Sequence, residues 1–330
     1  MSAPIPYGRQ QVDEDDIRAV IEVLRSDWLT TGPTVERFEQ AVAEFVGMSQ
    51  AVAVANGTAA LHAAMHAIDI GPGDEVIVPP MTFAATANAV VFQGGTPVFA
   101  DVDAATLLLD PARVEARITP RTKAIVAVDY AGQPADYDAL RQIADHYRLR
   151  LVADACHSLG AADHGRPCGG LADLSVFSFH PVKPITTGEG GMIVTDDAER
   201  ARRMRVFRNH GITTDHRQRQ ERGAWSYEMV ELGYNYRLTD IQCALGLSQL
   251  PRLPRWIVRR QRIAAAYAEA FTRTPIRPLG TRDGVSHGYH LFVARVPDRD
   301  RIFTALRDVG IGVNLHYIPV HFHPFYRQIG

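Results

Sequence analysis

The chain has 330 residues, of which 46% are hydrophobic and 22% charged, and its formal net charge is −2. That size and apolar content allow a large buried core and predict one large domain with a smaller one beside it. Because lysine and arginine are scattered and nearly balanced by aspartate and glutamate, no nucleic-acid partner is expected.

The amino terminus and the cysteines exclude further classes of protein. Residues 1–7 lack a basic stretch followed by an apolar one, and no segment is long enough to cross a bilayer. We therefore expect a cytoplasmic protein with no membrane partner. The three cysteines, Cys156, Cys168 and Cys243, have neither an even count nor CxxC spacing, so neither a disulfide framework nor a metal site is predicted.

In chain order, two amphipathic helices are predicted first, at 13–24 and 34–45, because apolar residues recur there at helical spacing. From residue 51 to about 195, short apolar runs alternate with helical patterns. The runs are 51–54, 75–78, 96–99, 124–128, 149–153, 174–177 and 191–194. Strands that are apolar on both faces and separated by helices predict an α/β fold, with a seven-stranded, mostly parallel sheet between helices.

After the last strand of the predicted sheet, the sequence predicts both helices and extended segments. Helices are predicted at 237–250, 256–271 and near 299–309, with a strand at 290–294 and an extended segment at 312–317. We expect a large domain over residues 1–250 and a smaller α+β domain over 251–330. Since no closing helix follows, the smaller domain is expected to be incomplete.

A lysine and an aspartate carry the strongest chemical signal. Lys183 lies in a rigid turn rich in proline and glycine after an apolar run, and Asp154 closes the apolar run 151–153. A rigidly held amine is typical of a Schiff-base lysine, and a carboxylate would keep a cofactor's ring nitrogen protonated. Each residue has an ordinary explanation when taken alone. Lys183 could be a solvated loop lysine, and Asp154 could only cap a helix. Together they indicate pyridoxal phosphate (PLP).

Other candidates follow neighbouring strands, at the sheet edge where ligands collect. Residues 56–61 open a helix after the first sheet strand, so their backbone N–H groups and the Thr58 hydroxyl could hold a phosphate. Phe83 could stack on a flat ring, although core packing would explain a lone phenylalanine equally well. His157 could bond the cofactor's phenolic oxygen or be a buried, satisfied histidine. Ser178 is a second candidate phosphate ligand.

Five segments together resemble the PLP-dependent sugar-nucleotide aminotransferases of fold type I, in the family's order. They are residues 56–61, the segment around Phe83, and residues 154–158, 177–191 and 233–238. The resemblance implies that Lys183 carries PLP as a Schiff base and acts as general acid–base, while Asp154 pairs with the pyridinium nitrogen. It implies that Phe83 stacks on the ring beside His157.

The resemblance also implies how phosphate and substrate are held. The residues implied for the phosphate are Gly57, Thr58, Ala59, Ser178 and, across a dimer interface, Asn235. Those implied for the sugar nucleotide are Tyr7, Thr30, Arg237, His316 and Tyr317. Because Asn235 would reach a neighbouring subunit, the resemblance implies a homodimer with shared active sites.

Within the family, residues 128–132, 157–160, 179–187 and 240–250 are most similar to the 4-aminotransferases of pseudaminic acid biosynthesis. This implies transfer of an amino group from L-glutamate to C4 of UDP-2-acetamido-2,6-dideoxy-β-L-arabino-hexos-4-ulose, in polysaccharide biosynthesis. A 3- or 4-aminotransferase for another nucleotide sugar is the main alternative. An inactive, regulatory PLP-binding protein is another. Related dehydratases carry histidine in place of the lysine, so Lys183 excludes that subgroup.

Overall fold

The computed structural model describes residues 3–214, 216–221, 223 and 225–329. The helices are α1 (Glu14–Leu24), α2 (Pro33–Val46), α3 (Gly57–Ala67), α4 (Ala85–Phe92), α5 (Pro111–Glu115), α6 (Tyr137–Tyr147), α7 (Ala198–Phe207), α8 (His216–Glu221), α9 (Asp240–Gln249), α10 (Leu253–Phe271), α11 (Arg299–Asp308) and α12 (Pro324–Ile329). The strands are β1 (Gln50–Val54), β2 (Glu75–Val78), β3 (Thr96–Phe99), β4 (Thr122–Val128), β5 (Arg150–Asp154), β6 (Ala162–Asp163), β7 (Arg166–Pro167), β8 (Leu174–Ser178), β9 (Gly191–Thr195), β10 (Arg277–Pro278), β11 (Val285–Ser286) and β12 (Ala294–Arg295).

Within these described residues, one sheet of seven strands has the order β1-β9-β8-β5-β4-β2-β3. All neighbours pair in parallel except that β9 is antiparallel to both β1 and β8. This confirms the predicted α/β fold and its seven strands. Because β4, β5 and β8 are parallel neighbours, their carboxyl ends meet at one edge of the sheet, where open α/β sheets bind their ligands.

Helices bury both faces of the sheet, as the apolar strands require. On one face Phe38 of α2 and Tyr137 of α6 pack in a cluster with Phe177 of β8. On the other face Leu61 and Met65 of α3 pack with residues of α4 and α7. Burial on both sides removes the sheet from water, which is the main stabilising contribution in a fold of this kind.

The two amino-terminal helices are fixed by local capping and by one distant carboxylate. Asp13 accepts hydrogen bonds from the first turn of α1 in a capping box. Gly32 and Pro33 begin α2, where Asp240 of α9 accepts the Gly32 N–H at 2.8 Å and the Thr34 N–H at 2.9 Å. The start of α2 is thereby tied to α9 across the chain.

One predicted strand is wrong. Of residues 290–294, only Ala294 lies in a strand, the two-residue β12, which pairs with β10. Leu291 is buried instead against the loop after β4, where its N–H donates to the Ala131 carbonyl at 3.1 Å. The apolar run thus packs onto a loop rather than into a ladder. The division into domains at residue 250 stays a prediction.

The described part of the chain has no helix that is long and apolar enough to cross a membrane.

Candidate active site

Asp154 is the last residue of β5, in the middle of the sheet edge, and its side chain is buried. The Thr86 hydroxyl donates to its Oδ2 at 2.6 Å, and Thr82 and Thr86 share a 2.7 Å hydrogen bond. Among the described residues, its Oδ1 accepts a long bond from the Cys156 N–H, at 3.3 Å. One oxygen is therefore fixed, and the other is available to a further donor.

Lys183 lies in the turn that follows β8, and its backbone N–H donates to the His180 carbonyl at 2.9 Å. Burial lowers the pKa of Lys183, while the charges of Cys156 and Asp154 act to raise it. The amine therefore lies within the electrostatic reach of Asp154. A lowered pKa favours the neutral amine, which is the nucleophilic form.

Gly57 and Ser178 form one corner of the site. Gly57 begins α3, and a Cβ placed on it would lie 3.0 Å from the Ser178 Cβ and 3.3 Å from the Cys156 Sγ. The Asn56 side chain caps the helix by accepting the Ala59 N–H at 2.8 Å. Since the first turn of a helix leaves N–H groups without intrahelical acceptors, those of Gly57 and Thr58 remain for an anion. The N–H of Ala59, which was predicted to touch the phosphate, already has an acceptor.

Phe83 lies between β2 and α4, three residues before Thr86, and its side chain is 61% exposed. Core packing therefore does not explain this phenylalanine. Its ring is tilted toward that of Tyr317, with centroids 6.1 Å apart. An open aromatic face thus borders the edge of the sheet on which Asp154 lies.

Histidines and tyrosines from both ends of the chain form a wall beside Lys183. The Tyr317 hydroxyl lies 3.3 Å from Nε2 of His157, and the Tyr7 hydroxyl lies 2.8 Å from Nε2 of His316. The rings of Tyr7 and His316 are stacked with centroids 5.3 Å apart. The Tyr130 hydroxyl donates to the His316 carbonyl.

Both histidines of this wall are held neutral. Burial, followed by the charge of Lys183, lowers the pKa of His157 well below its ordinary value. The same two causes lower the pKa of His316. The buried Nδ1 atom of His157 has no hydrogen-bond partner in the part of the chain that the structure describes. A buried polar atom of this kind is unusual in a folded protein and suits a site that receives a ligand.

The other predicted substrate and phosphate residues lie in a second cluster. Thr30 is bridged to Thr239, Asn235 is bridged to Asn209, and Nη1 of Arg237 donates to Oδ1 of Asn209 at 3.0 Å. Among the described residues, Thr30, Asn235 and Arg237 make no hydrogen bond to the residues around Lys183.

A cavity of about 690 Å³ opens beside Arg237, between α2 and α7. None of the residues around Lys183 lines it, so it is separate from the edge that holds Asp154.

Sequence reasoning missed Thr86, Tyr130 and Asp129, which all contact the site. Asp129 follows the apolar strand β4 in the same way that Asp154 ends β5, so this spacing could have drawn attention to it. Thr86 lies one helical turn after Thr82, which is a weaker signal. Tyr130 touches a residue 186 positions away, and no local pattern marks it.

Comparison with known proteins identifies the family. A model of the DegT/DnrJ/EryC1/StrS aminotransferase family matches residues 10–330. The chain belongs to this family. The aminotransferase is 43% identical to the spore coat polysaccharide biosynthesis protein SpsC of Bacillus subtilis over 98% of this chain and 86% of that protein.

Solved structures show the same fold. A proposed sugar aminotransferase from Streptococcus pneumoniae in its PLP form is 34% identical, with a TM-score of 0.93, over 99% of this chain and 88% of that one. The Helicobacter pylori aminotransferase PseC, involved in the biosynthesis of pseudaminic acid, is 35% identical, with a TM-score of 0.92, over 99% of this chain and 88% of that one. The chain is therefore a PLP-dependent sugar aminotransferase of fold type I.

The geometry fits that cofactor. The corner at Gly57 suits a phosphate, the weakly bonded Oδ1 of Asp154 suits a protonated ring nitrogen, and the Lys183 amine, whose pKa burial lowers, suits an aldehyde. Bound PLP supplies an electron sink for charge that develops on a substrate carbon.

Proposed function

We propose that this aminotransferase moves an amino group from L-glutamate to C4 of UDP-2-acetamido-2,6-dideoxy-β-L-arabino-hexos-4-ulose, in pseudaminic acid and polysaccharide biosynthesis. The observation that carries the proposal is the similarity of the whole chain to PseC. The sequence segments at 128–132 and 179–187 support the same acceptor.

In this proposal Lys183 holds the cofactor covalently and, once released, moves the proton that leaves the amino donor's α-carbon. Its lowered pKa supports the second role, because the amine then gives up its own proton more readily and can accept the donor's. Asp154 keeps the ring nitrogen protonated. Thr86 holds its Oδ2, and the long bond from the Cys156 N–H leaves room for a further donor at Oδ1. Phe83 stacks on the ring, and the unpaired Nδ1 of His157 takes part in fixing it.

The phosphate is assigned to the N–H groups of Gly57 and Thr58 and to the Ser178 hydroxyl. The sugar nucleotide is assigned to the wall formed by Tyr7, His316 and Tyr317, with Thr30 and Arg237 contributed by a neighbouring subunit. Neutral His316 supports a sugar ligand, because an uncharged imidazole can hydrogen-bond hydroxyl groups without attracting the donor's carboxylate.

We propose a homodimer with shared active sites. Thr30, Asn235 and Arg237 lie apart from Lys183 within one chain, which is expected if they complete the neighbour's site. The segment before Asn235 exposes large apolar side chains, with Trp225 92% and Leu232 75% exposed. Exposed apolar patches of this kind mark surfaces that another protein covers.

A second candidate is a 3- or 4-aminotransferase for another nucleotide sugar. The 43% identity to SpsC favours it, because SpsC acts in making a spore coat polysaccharide. An inactive, regulatory PLP-binding protein is a weaker candidate, since the chain carries both the amine, Lys183, and the anion, Asp154, that the reaction needs.

The decisive experiment is an acceptor panel. Purified enzyme, PLP and L-glutamate would be incubated with UDP- and dTDP-linked 4-keto sugars, and the aminated position would be read by NMR. We expect amination at C4 of the UDP-linked acceptor and no product with Lys183→Ala. Amination of dTDP-linked sugars alone, or at C3, would favour the second candidate. Bound PLP that L-glutamate fails to convert would favour the inactive protein.

A further inference from the structure

The loop after β4 holds a second buried carboxylate, Asp129, which none of the roles above uses. Its side chain is 1% exposed. The Ser158 hydroxyl donates to Oδ2 at 2.5 Å, the Tyr137 hydroxyl donates to Oδ1 at 2.7 Å, and the Ala135 N–H donates to Oδ1 at 3.1 Å. Three donors on one buried carboxylate form a fully satisfied network, and such networks fix the elements that they join.

One of those elements is the turn that follows β5. Val128 of β4 pairs with Asp154 of β5, and the Asp129 N–H donates to the Asp154 carbonyl at 3.1 Å. Ser158 directly follows His157, and its hydroxyl also lies 3.3 Å from the Ala155 carbonyl. The carboxylate of Asp129 therefore closes the turn that carries His157.

The other element is the loop that begins with Tyr130. Tyr130 donates to the His316 carbonyl, and its ring lies 6.3 Å from that of Tyr317. Gly132 approaches the turn so closely that a Cβ there would lie 2.9 Å from the His157 carbonyl oxygen, and its φ of 101° also favours glycine. The loop is thus in contact with both sides of the wall beside Lys183.

We propose that Asp129 is a positioning residue for the active site, which fixes His157 through Ser158 and the segment of Tyr317 through the loop that begins at Tyr130. The inference rests on the proposed placement of PLP beside His157. It does not depend on which sugar is the acceptor.

Burial raises the pKa of Asp129 to about 6, although the hydrogen bonds from Ser158, Tyr137 and Ala135 act to lower it. The titratable groups that face it are Asp154 on β5, Tyr137 on α6, Cys156 in the turn and Cys168 beyond β7. Since the pKa of Asp129 in the folded protein lies above its ordinary value of 3.8, the folded protein binds this proton more tightly than the unfolded chain does. The resulting stability is present at low pH and is lost as the pH rises through about 6.

Asp129→Asn, Ser158→Ala and the double variant test the network. Asparagine keeps an acceptor in place of Oδ1 and puts an uncharged NH2 group in place of Oδ2, so the bond that the Ser158 hydroxyl donates to a charged carboxylate is lost. We expect each single variant to weaken PLP binding roughly tenfold, the loss typical of one hydrogen bond to a charged group. The double variant should lose no more than either single variant, because both changes break the same contact.

Asp173→Asn is the matched control. Asp173 is a partly buried carboxylate beside the other end of β5, where it accepts the Leu151 N–H at 2.9 Å and a bond from Arg141 at 2.9 Å. Loss of the Asp173 carboxylate should lower the unfolding temperature of the protein and leave its affinity for PLP unchanged. A merely structural role for Asp129 would give the same result as this control.

Two pH measurements complete the test. In Asp129→Asn, the pH midpoint of the bound cofactor's absorbance should move by about 0.5 unit or more, which reports a changed contact to the cofactor. The cofactor-free variant should also lose the fall in stability that is expected of the wild type as the pH rises through about 6.

The inference would be overturned if both single variants kept the wild-type PLP affinity and the wild-type pH midpoint of the cofactor's absorbance. Losses of PLP affinity that add up in the double variant would overturn it as well. If Asp129→Asn does not fold, Ser158→Ala decides the question by the same affinity and absorbance measurements. If the wild type itself binds no PLP, the proposed placement of the cofactor has failed. A double-mutant cycle on unfolding of the cofactor-free protein then decides whether Asp129 and Ser158 are coupled.

Discussion

Lys183 is one of only two lysines in the chain, and the other is Lys123. The two side chains occupy opposite environments. Lys183 is buried enough for its pKa to be lowered, whereas Lys123 is exposed on β4 and pairs with Asp74 at 3.6 Å. Chemical labelling of lysine therefore has only two possible outcomes, which makes the assignment of the cofactor site direct.

Lys183→Ala should abolish covalent attachment of PLP while leaving the fold intact, because burial lowers the pKa of this amine and its charged form therefore does not stabilise the fold. Borohydride reduction followed by peptide mapping should place the label on Lys183 in the wild type. Lys123→Ala is the matched control and should keep both the label and the activity. A label on Lys123 would contradict the assignment.

Asp154→Asn should keep PLP bound but slow half-transamination by L-glutamate by orders of magnitude. Without the anion the ring nitrogen loses its proton, and the ring accepts electrons less well. Thr86→Val should cost less, because Asp154 keeps its charge and loses only the 2.6 Å hydrogen bond. Single-turnover kinetics measure both variants. Near-normal turnover in Asp154→Asn would remove this residue from its role.

At the scale of elements, the site depends on where α3 begins. Asn56 fixes that point by capping the helix, and Gly57, the first residue of the helix, lies against Ser178. The same capping thus serves two purposes, since it stabilises the helix and forms the proposed phosphate corner.

Asn56→Ala should lower the free energy of unfolding by about 1 kcal/mol and also weaken PLP binding. The control is Asp197→Ala, which removes the cap of α7, where Asp197 accepts two N–H groups at 3.0 Å. It should lower stability by a similar amount without changing PLP affinity. Urea unfolding and cofactor titration measure the two effects. Equal loss of affinity in both variants would show that the start of α3 has no special part in binding.

At the scale of the whole molecule, the two clusters of site residues suggest assembly. Lys183 and Asp154 lie at the sheet edge, whereas Thr30, Asn235 and Arg237 lie elsewhere in the same chain. A two-fold dimer would bring one cluster to the other in both subunits.

Mixing Lys183→Ala with Asn235→Ala protomers should therefore restore activity. A heterodimer of the two would contain one site with both Lys183 and Asn235 and one site with neither, so activity should return to about a quarter of the wild-type value at most, given random pairing of the protomers. Sedimentation would confirm the dimer, and each variant alone serves as the control. A monomer that binds PLP tightly, or no recovery with both variants folded, would contradict the shared site.

The sequence determined the sheet and the residues at its edge. Apolar runs separated by helices fixed the seven strands. Asp154 and Ser178 end two of these strands and Gly57 closely follows a third, so their places could be predicted. Lys183 was found in the same way. The cofactor followed from these residues, because its chemistry needs an amine and an anion together.

Only the tertiary structure decided which distant residues meet there. Tyr7 and His316 are 309 positions apart, and the Asp129 network joins β4 to the turn after β5. Residues 290–293 look like a strand but pack on a loop instead. The local sequence pattern determines which way a residue faces within its own helix or strand. That is enough to place residues at the ends of strands. Contacts between distant segments depend on how the whole core packs, and a local pattern does not contain that information.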